Sequence, residues 1–197
     1  ASALAAAPYG LNRRALAAAA AVDEGGMLSQ RLYDLEAAGF ISSQRPFDKV
    51  HETRLLRYHL SDPWISFYHA FMRTRLKQIR EGTRRDLFNA IRQTGAFRSW
   101  MGRAFELVCM RHSDHLAQLL GFGSISYDSG PWFRAPRKGI AGVQIDLAYD
   151  RDDKVITLCE MKRQTAPLGR AVIPEVERKA EVLRAEFSGR TIQPVLV

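Results

Sequence analysis

Four residues in the second half of the chain draw attention by type and spacing: Glu106, Asp146, Glu160 and Lys162. Asp146 interrupts an apolar run at 143–149, and Glu160 and Lys162 close a second run at 154–162. Both runs read as strands, and Asp150-Arg151-Asp152-Asp153 between them is rich in turn formers, so a hairpin is expected. Alternation along a strand puts Gln144 and Asp146 on one face and Val143, Ile145 and Leu147 on the other, while Glu160 and Lys162 share a face. A turn near Asp152 sets Asp146 across from about Leu158, which makes Asp146 and Glu160 diagonal neighbours. Charges in otherwise apolar strands cost several kcal/mol unless something compensates them, and a divalent cation with its bound water does so economically.

The residue types specify the chemistry further. Hard Mg²⁺ (or Mn²⁺) prefers carboxylate oxygens, so Asp146 and Glu160 are expected as direct ligands, with the backbone carbonyl of Met161 completing the shell. Lys162 is placed to orient or deprotonate a water and to stabilise charge on phosphoryl oxygens. Glu106 would reach the metal directly or through water, Gln144 is a possible accessory, and Gly102 one turn earlier would let helix and strand approach closely. Cys109, Cys159 and His112 lie on apolar stretches and read as packing residues, since no CxxC partner accompanies them.

The elements that must position these groups run helix, strand, strand, strand, helix, strand. One helix is expected from Trp100 to about Leu120, with Phe105, Val108, Cys109, His112, Leu116 and Leu119 on its packed face. Strands follow at 124–127, 143–149 and 154–162, then a helix at 175–187 and a strand at 191–197. The segment 130–139, with Trp132, Arg134, Arg137 and Lys138, reads as an irregular loop that either contacts nucleic acid or is simply mobile.

Upstream, helices at 2–7, 11–22 and 27–38 precede two strand-like runs at 40–43 and 55–60, with a polar hairpin loop between them. Leu28, Leu32 and Leu35 recur at helical spacing and Gly39 stands where a left-handed cap is wanted. Three short helices and a hairpin describe a winged helix-turn-helix, whose third helix would present Ser29, Gln30, Arg31 and Tyr33 to a major groove. Between 63 and 99 a helix opened by Ser61-Asp62-Pro63 buries Trp64, Phe67, Phe71, Met72, Leu76 and Ile79, and Gly82 punctuates before a further helix with Leu87, Phe88 and Ile91. Arg73, Lys77, Arg80 and Arg84 share one face if the helix is continuous, as a phosphate-tracking stripe would. A solvated face is the commoner meaning of such a run.

Several of these segments resemble a known family. Gly102-Arg103-Ala104-Phe105-Glu106, then Gly142-Val143-Gln144-Ile145-Asp146-Leu147, then Leu158-Cys159-Glu160-Met161-Lys162, resemble the C-terminal region of prokaryotic AAA+-type ATPases. There a P-loop ATPase domain is followed by a winged helix, with a pattern like Leu35-Glu36-Ala37-Ala38-Gly39-Phe40-Ile41 and Tyr58-His59-Leu60-Ser61-Asp62-Pro63, and then by a PD-(D/E)xK nuclease-like domain. The resemblance implies an α+β chain: a winged helix at 1–62, a basic helical linker at 63–99 and a restriction-endonuclease-like αβββαβ core at 100–197. It implies Mg²⁺- or Mn²⁺-dependent cleavage of DNA, with ATP engaged only by a domain not present here, through which the protein could also oligomerise. The alternative is a non-catalytic DNA-binding or assembly module that keeps the nuclease fold as a scaffold. In this sequence Ile145-Asp146 replaces the leading Pro-Asp pair.

Composition sets the outer bounds. The net charge of +8 over 197 residues favours an anionic partner, with duplex DNA the leading candidate and RNA, anionic lipid or acidic protein open on charge alone. No apolar run approaches the ~20 residues of a membrane span. Two cysteines make no disulfide framework and no leader pattern is evident, so a cytoplasmic location is expected. Both ends read as cut from something longer, and no GxxxxGK[ST] loop is present.

Overall fold

The structure, a computed structural model, describes residues 1–7, 9–136, 141–164 and 169–197. It is a mixed α+β chain with two sheets, divided into two compact units. The first comprises residues 1–44 and 56–104, the second residues 45–55 and 105–197.

The first unit begins with α1 (Ser2–Ala5), α2 (Arg13–Ala20) and α3 (Gly26–Ala37), followed by strands β1 (Ile41–Gln44) and β2 (Arg57–Leu60), which pair antiparallel. Asn12 caps α2 by accepting the Ala15 amide at 2.8 Å, and Gly39 closes the turn after α3 with φ +73°. Leu4, Leu16, Leu28, Leu32, Ile41, Tyr58 and Leu60 form one core, while Ser29, Gln30, Arg31 and Tyr33 stay exposed on the outer side of α3. Leu35, expected on the buried stripe, is 37% exposed.

Residues 63–92 form several short helices rather than two divided at Gly82. Asp62 caps α4 (Pro63–Phe67) by accepting the Ile65 amide at 2.9 Å, a π-helical stretch covers Tyr68–Met72, a 3₁₀ turn covers Arg73–Arg75, and α5 (Leu76–Arg80) and α6 (Leu87–Arg92) follow. Phe67, Phe71, Leu87 and Ile91 pack with Phe97 and Trp100 in a second core, and the Trp100 indole donates to Ser66 Oγ at 3.0 Å. The expected buried side is therefore altered: Trp64 is 63% exposed and Ile79 37%. The π-helical and 3₁₀ segments change the rotation per residue, so a 3.6-residue pattern carried through them goes out of phase.

The second unit holds the larger sheet. The helix expected from Trp100 to Leu120 is two, α7 (Gly95–Arg111) and α8 (Ser113–Leu119), broken at His112 where φ −109° and ψ 31° leave helical space. Leu119 is 71% exposed, Val108 42%, and His112 is exposed at the break, so these three do not lie on a packed face as expected. Strands β3 (Tyr127–Arg134), β4 (Val143–Arg151), β5 (Val155–Glu160) and β6 (Thr191–Leu196) stand in the order β3-β4-β5-β6, antiparallel except for the parallel pair β5-β6, with α9 (Ile173–Glu186) as the crossover. One side of the sheet packs Ile145, Ala148, Ile156 and Leu158 against Val176, Ala180 and Leu183 of α9. The other packs Leu147, Tyr149, Cys159 and Met161 against Ala117 and Phe122, with Phe105, Cys109 and Leu116 partly buried beside them.

Three sequence expectations change in this unit. The 130–139 segment is not a loop throughout: its first five residues belong to β3, and Trp132 is buried against the α9 side of the sheet. An edge strand tolerates Pro131, and β3 is an edge. The strand expected at 124–127 accordingly begins only at Tyr127. The hairpin loop following β1 is polar in composition, but its Phe47 is 2% exposed and lies 5.4 Å from the Phe187 ring, within the same core as Trp132. Gly130 makes room for this segment, since a Cβ there would meet the Arg45 carbonyl oxygen at 2.5 Å.

His59 gives the first unit a pH-dependent stability. On β2, burial and then the nearby Arg57 charge push its pKa down to about 4 from 6.5. The unfolded chain therefore binds the proton more tightly, so the stabilisation is complete above pH 6.5 and is lost as pH falls toward about 4. Chemical unfolding across that window should show a loss of up to about 3 kcal/mol in the parent relative to its pH 7 value, and a flatter profile in His59→Gln. Parallel profiles for the two proteins would show that His59 does not titrate in this way.

Candidate active site

The hairpin of β4 and β5 sets the site. Lys154 has φ +66° and its amide donates to the Arg151 carbonyl at 3.1 Å, giving a three-residue loop, 152–154, whose last residue is left-handed. That loop pairs Leu147 with Cys159 and Ala148 with Leu158. Asp146 is thus not across from Leu158: the same register continued by one residue sets it against Glu160. The turn is centred on Asp153, one residue later than expected, and the two carboxylate residues become direct rather than diagonal neighbours.

A second irregularity falls at the same place. Trp132 pairs with Ile145 and Gly130 with Ala148, so β4 carries one residue more than β3 and Asp146 and Leu147 together face Pro131. This bulge breaks the strict alternation along β4. Val143 and Ile145 pack on the α9 side, but Leu147 packs on the other, so these three do not share a face as expected.

Glu160 is 1% exposed and carries two ion pairs. Lys162 Nζ lies 2.7 Å from Oε1, and Lys179 Nζ, on α9, lies 2.6 Å from Oε2. Sequence reasoning missed Lys179. Its position was a signal, because it follows Val176 by three residues and precedes Leu183 by four, on the apolar stripe of α9 where a lone cation needs a partner.

Asp146 is half-buried, and its Oδ1 accepts from the Gln144 amide at 3.2 Å. Burial raises its pKa above the ordinary value, the charge of Lys179 opposes this, and Glu160 adds to the rise. Lys162 is held more firmly protonated than usual, first by its bond to Glu160, with Asp146 and Glu106 contributing through their charges. Glu106 on α7 is half-buried within electrostatic range of Lys162. Gly102 does not have the role expected of it, as a Cβ there meets no described atom within 4 Å. Beyond β5 the chain remains tied to the sheet: the Lys162 amide donates to the Val197 carbonyl at 2.9 Å, which fixes Lys162 next to Glu160.

Among the described residues, no group of three or more His, Cys, Asp and Glu side chains is gathered to hold a metal ion. What the site offers is the neighbouring pair Asp146 and Glu160, with Glu106 within charge range. The Cys159 thiol is buried and pushed up to about 12, and Cys109 beside it is also raised by burial, in keeping with packing residues.

The basic residues expected at a nucleic-acid surface fall in different settings. Arg31, Arg73, Lys77, Arg80 and Arg84 are exposed. They do not form one stripe, because α5 ends at Arg80 and Gly82, with φ +59°, turns the chain before Arg84. Arg84 lies 3.5 Å from Asp86, and Arg73 donates to Ser2 Oγ at 3.2 Å. Arg134 is half-buried at the end of β3, whereas Arg137 and Lys138 lie outside the described residues.

The buried pair predicts a specific stability pattern. Glu160→Ala strands the Lys179 ammonium in the core and should destabilise the protein by about 3–5 kcal/mol in urea unfolding. Replacing Glu160 and Lys179 together by Met should recover most of that loss, and strict additivity of the single changes would contradict the pairing.

Comparison of the chain with protein-family models, with curated proteins and with solved structures finds no match.

Proposed function

We propose that this chain is the DNA-binding and metal-dependent phosphodiester-cleaving portion of a larger ATPase, a winged helix followed by a PD-(D/E)xK nuclease-like domain. The observation that carries this reading is the meeting of Asp146 and Glu160 on adjacent strands with Lys162 bound to Glu160. The order helix, three strands, helix, strand, with a parallel last pair, supports it. So does the excess of positive charge, with exposed Arg31, Lys77 and Arg80 available to phosphates.

In this mechanism Asp146 and Glu160 would be the residues to hold a Mg²⁺ or Mn²⁺ ion, with the backbone carbonyl of Met161, just past β5, and Glu106, directly or through water, as further ligands. The chemistry such an ion would supply is a lowered pKa for a bound water and relief of charge on the phosphoryl oxygens. Lys162 donates to the attacking water or to a non-bridging oxygen, stabilising the charge that grows as the water oxygen bonds to phosphorus and the ester oxygen leaves. Asp146, desolvated by burial and so raised in pKa, would be favoured in its ionised form by a cation placed beside it. Gln144 orients Asp146 through their hydrogen bond.

A second reading is favoured by one observation. Both Glu160 oxygens already have ammonium partners, so the site is neutralised internally, as a non-catalytic DNA-binding or assembly module retaining the fold would require.

Cleavage of plasmid, linear and single-stranded DNA with Mg²⁺ or Mn²⁺, and EDTA as control, separates the two. In whichever context cleaves, this chain or one carrying the ATPase domain with nucleotide, Lys162→Ala should slow cleavage about a hundredfold or more. Asp146→Asn should abolish it and weaken metal binding. Equal cleavage by parent and both variants would remove the site from catalysis, and a parent inert under every metal and nucleotide condition would favour the scaffold.

Binding to duplex DNA should weaken steeply with salt and show little sequence preference, and reversing Arg73, Lys77, Arg80 and Arg84 to Glu should weaken it further. Affinity indifferent to both would make these residues a solvated surface.

A further inference from the structure

Two aromatic rings of the first unit stand outside its cores. Trp64 is 63% exposed and Phe88 56%, and both touch the buried ring of Phe67, with centroids 5.7 Å and 6.4 Å away. They flank one ring and form a single patch. Trp64 is stacked on Phe67 at an interplanar angle of 28°, so one indole face is covered and the other meets solvent. Phe88 is braced from a second side by Phe97, at 6.2 Å. The base beneath them is fixed: Asp62 caps α4 ahead of Trp64, and the Trp100 indole holds Ser66 on the same helix. Adjacent exposed rings held on such a base mark an interaction surface.

The charge around the patch selects the partner. From 73 to 92 the chain has seven basic residues and two acidic ones. Arg92 follows Phe88 by four residues on α6, so it lies on the same helix face, exposed. Arg85, also exposed, stands two residues before that helix. Neither forms an ion pair with a described residue, whereas Arg84 is engaged by Asp86. An apolar protein surface would bury these cations without a partner. A strand with unpaired bases supplies both complements, flat rings for the aromatics and phosphates for the arginines. A duplex does not, because its bases are stacked on one another and closed to side-chain rings.

We propose that Trp64 and Phe88 are a stacking platform for the unpaired bases of single-stranded DNA, with Arg85 and Arg92 taking its phosphates. The inference rests on the DNA-binding reading above and involves no metal.

Oligothymidylate added to the chain should quench its tryptophan emission, because Trp64 is the only one of the three tryptophans that is largely exposed. In anisotropy titrations with a labelled strand, Trp64→Leu and Phe88→Leu should each lower affinity about tenfold. Both should bind an abasic strand of the same length, and duplex DNA, as the parent does, since neither ligand presents an unpaired base. A control without any variant is the parent itself, which should prefer the intact strand to the abasic one. Absence of quenching, no such preference, or equal affinity of parent and both Leu variants for the intact strand would each overturn the inference while leaving duplex binding in place. Tighter binding of oligouridylate than of oligodeoxyuridylate would overturn the assignment to DNA. A parent that binds neither single strand nor duplex would overturn the DNA-binding reading itself, and this inference with it.

Discussion

The carboxylate of Glu160, almost wholly excluded from solvent at the end of β5, is the constraint around which the second unit is arranged. A buried carboxylate is tolerable only when its oxygens are occupied, and here each has its own ammonium. One of these belongs to Lys162, two residues along the chain just past β5, and costs little to place. The other must come from elsewhere, and α9 delivers it by packing Val176, Ala180 and Leu183 onto the sheet so that Lys179 is carried in with them. The apolar contacts and the ion pair are thus mutually dependent. The helix brings the cation to the carboxylate, and the carboxylate permits a cation on the buried side of the helix.

Two local departures from regular strand geometry determine what Glu160 meets across the hairpin. The three-residue loop at 152–154 sets the register, and the bulge at Asp146–Leu147 changes which side chains face which layer. A register differing by one residue would exchange the α9 side of β4 for its other side, since side chains alternate. Lys154 in a left-handed conformation and Pro131 on an edge strand are the small, unfavourable features through which this placement is achieved.

The first unit uses different means. Its hairpin and first three helices share one core, whereas residues 63–100 gather an aromatic core around Phe67, Phe71, Phe97 and Trp100. That core is reached through a π-helical stretch and a 3₁₀ turn, so the basic residues between Arg73 and Arg84 are distributed around the segment rather than aligned. Electrostatic attraction for a polyanion depends mainly on the number and exposure of such charges, and a continuous track is not required for it.

Much of this was legible in the residues. Apolar runs at 143–149 and 154–162 around an acidic turn specify a hairpin, Leu28 and Leu32 with Gly39 specify α3 and its end, and Glu160 with Lys162 in a strand marks a charge that must be compensated. These features are local, set by periodicity and by the backbone preferences of single residues. What the tertiary structure decided is non-local. Lys179 meets Glu160 only because β6 pairs parallel to β5 and forces α9 across the sheet, and no spacing in the sequence encodes a contact between residues nineteen apart on different elements. Phe47, in a polar loop, is buried because Trp132 and Phe187 supply an apolar surface for it. The bulge beside Asp146 likewise follows from pairing with β3, whose Pro131 cannot donate to the ladder. A strand's own residues determine that it forms, but its neighbours determine its register and therefore which charges meet.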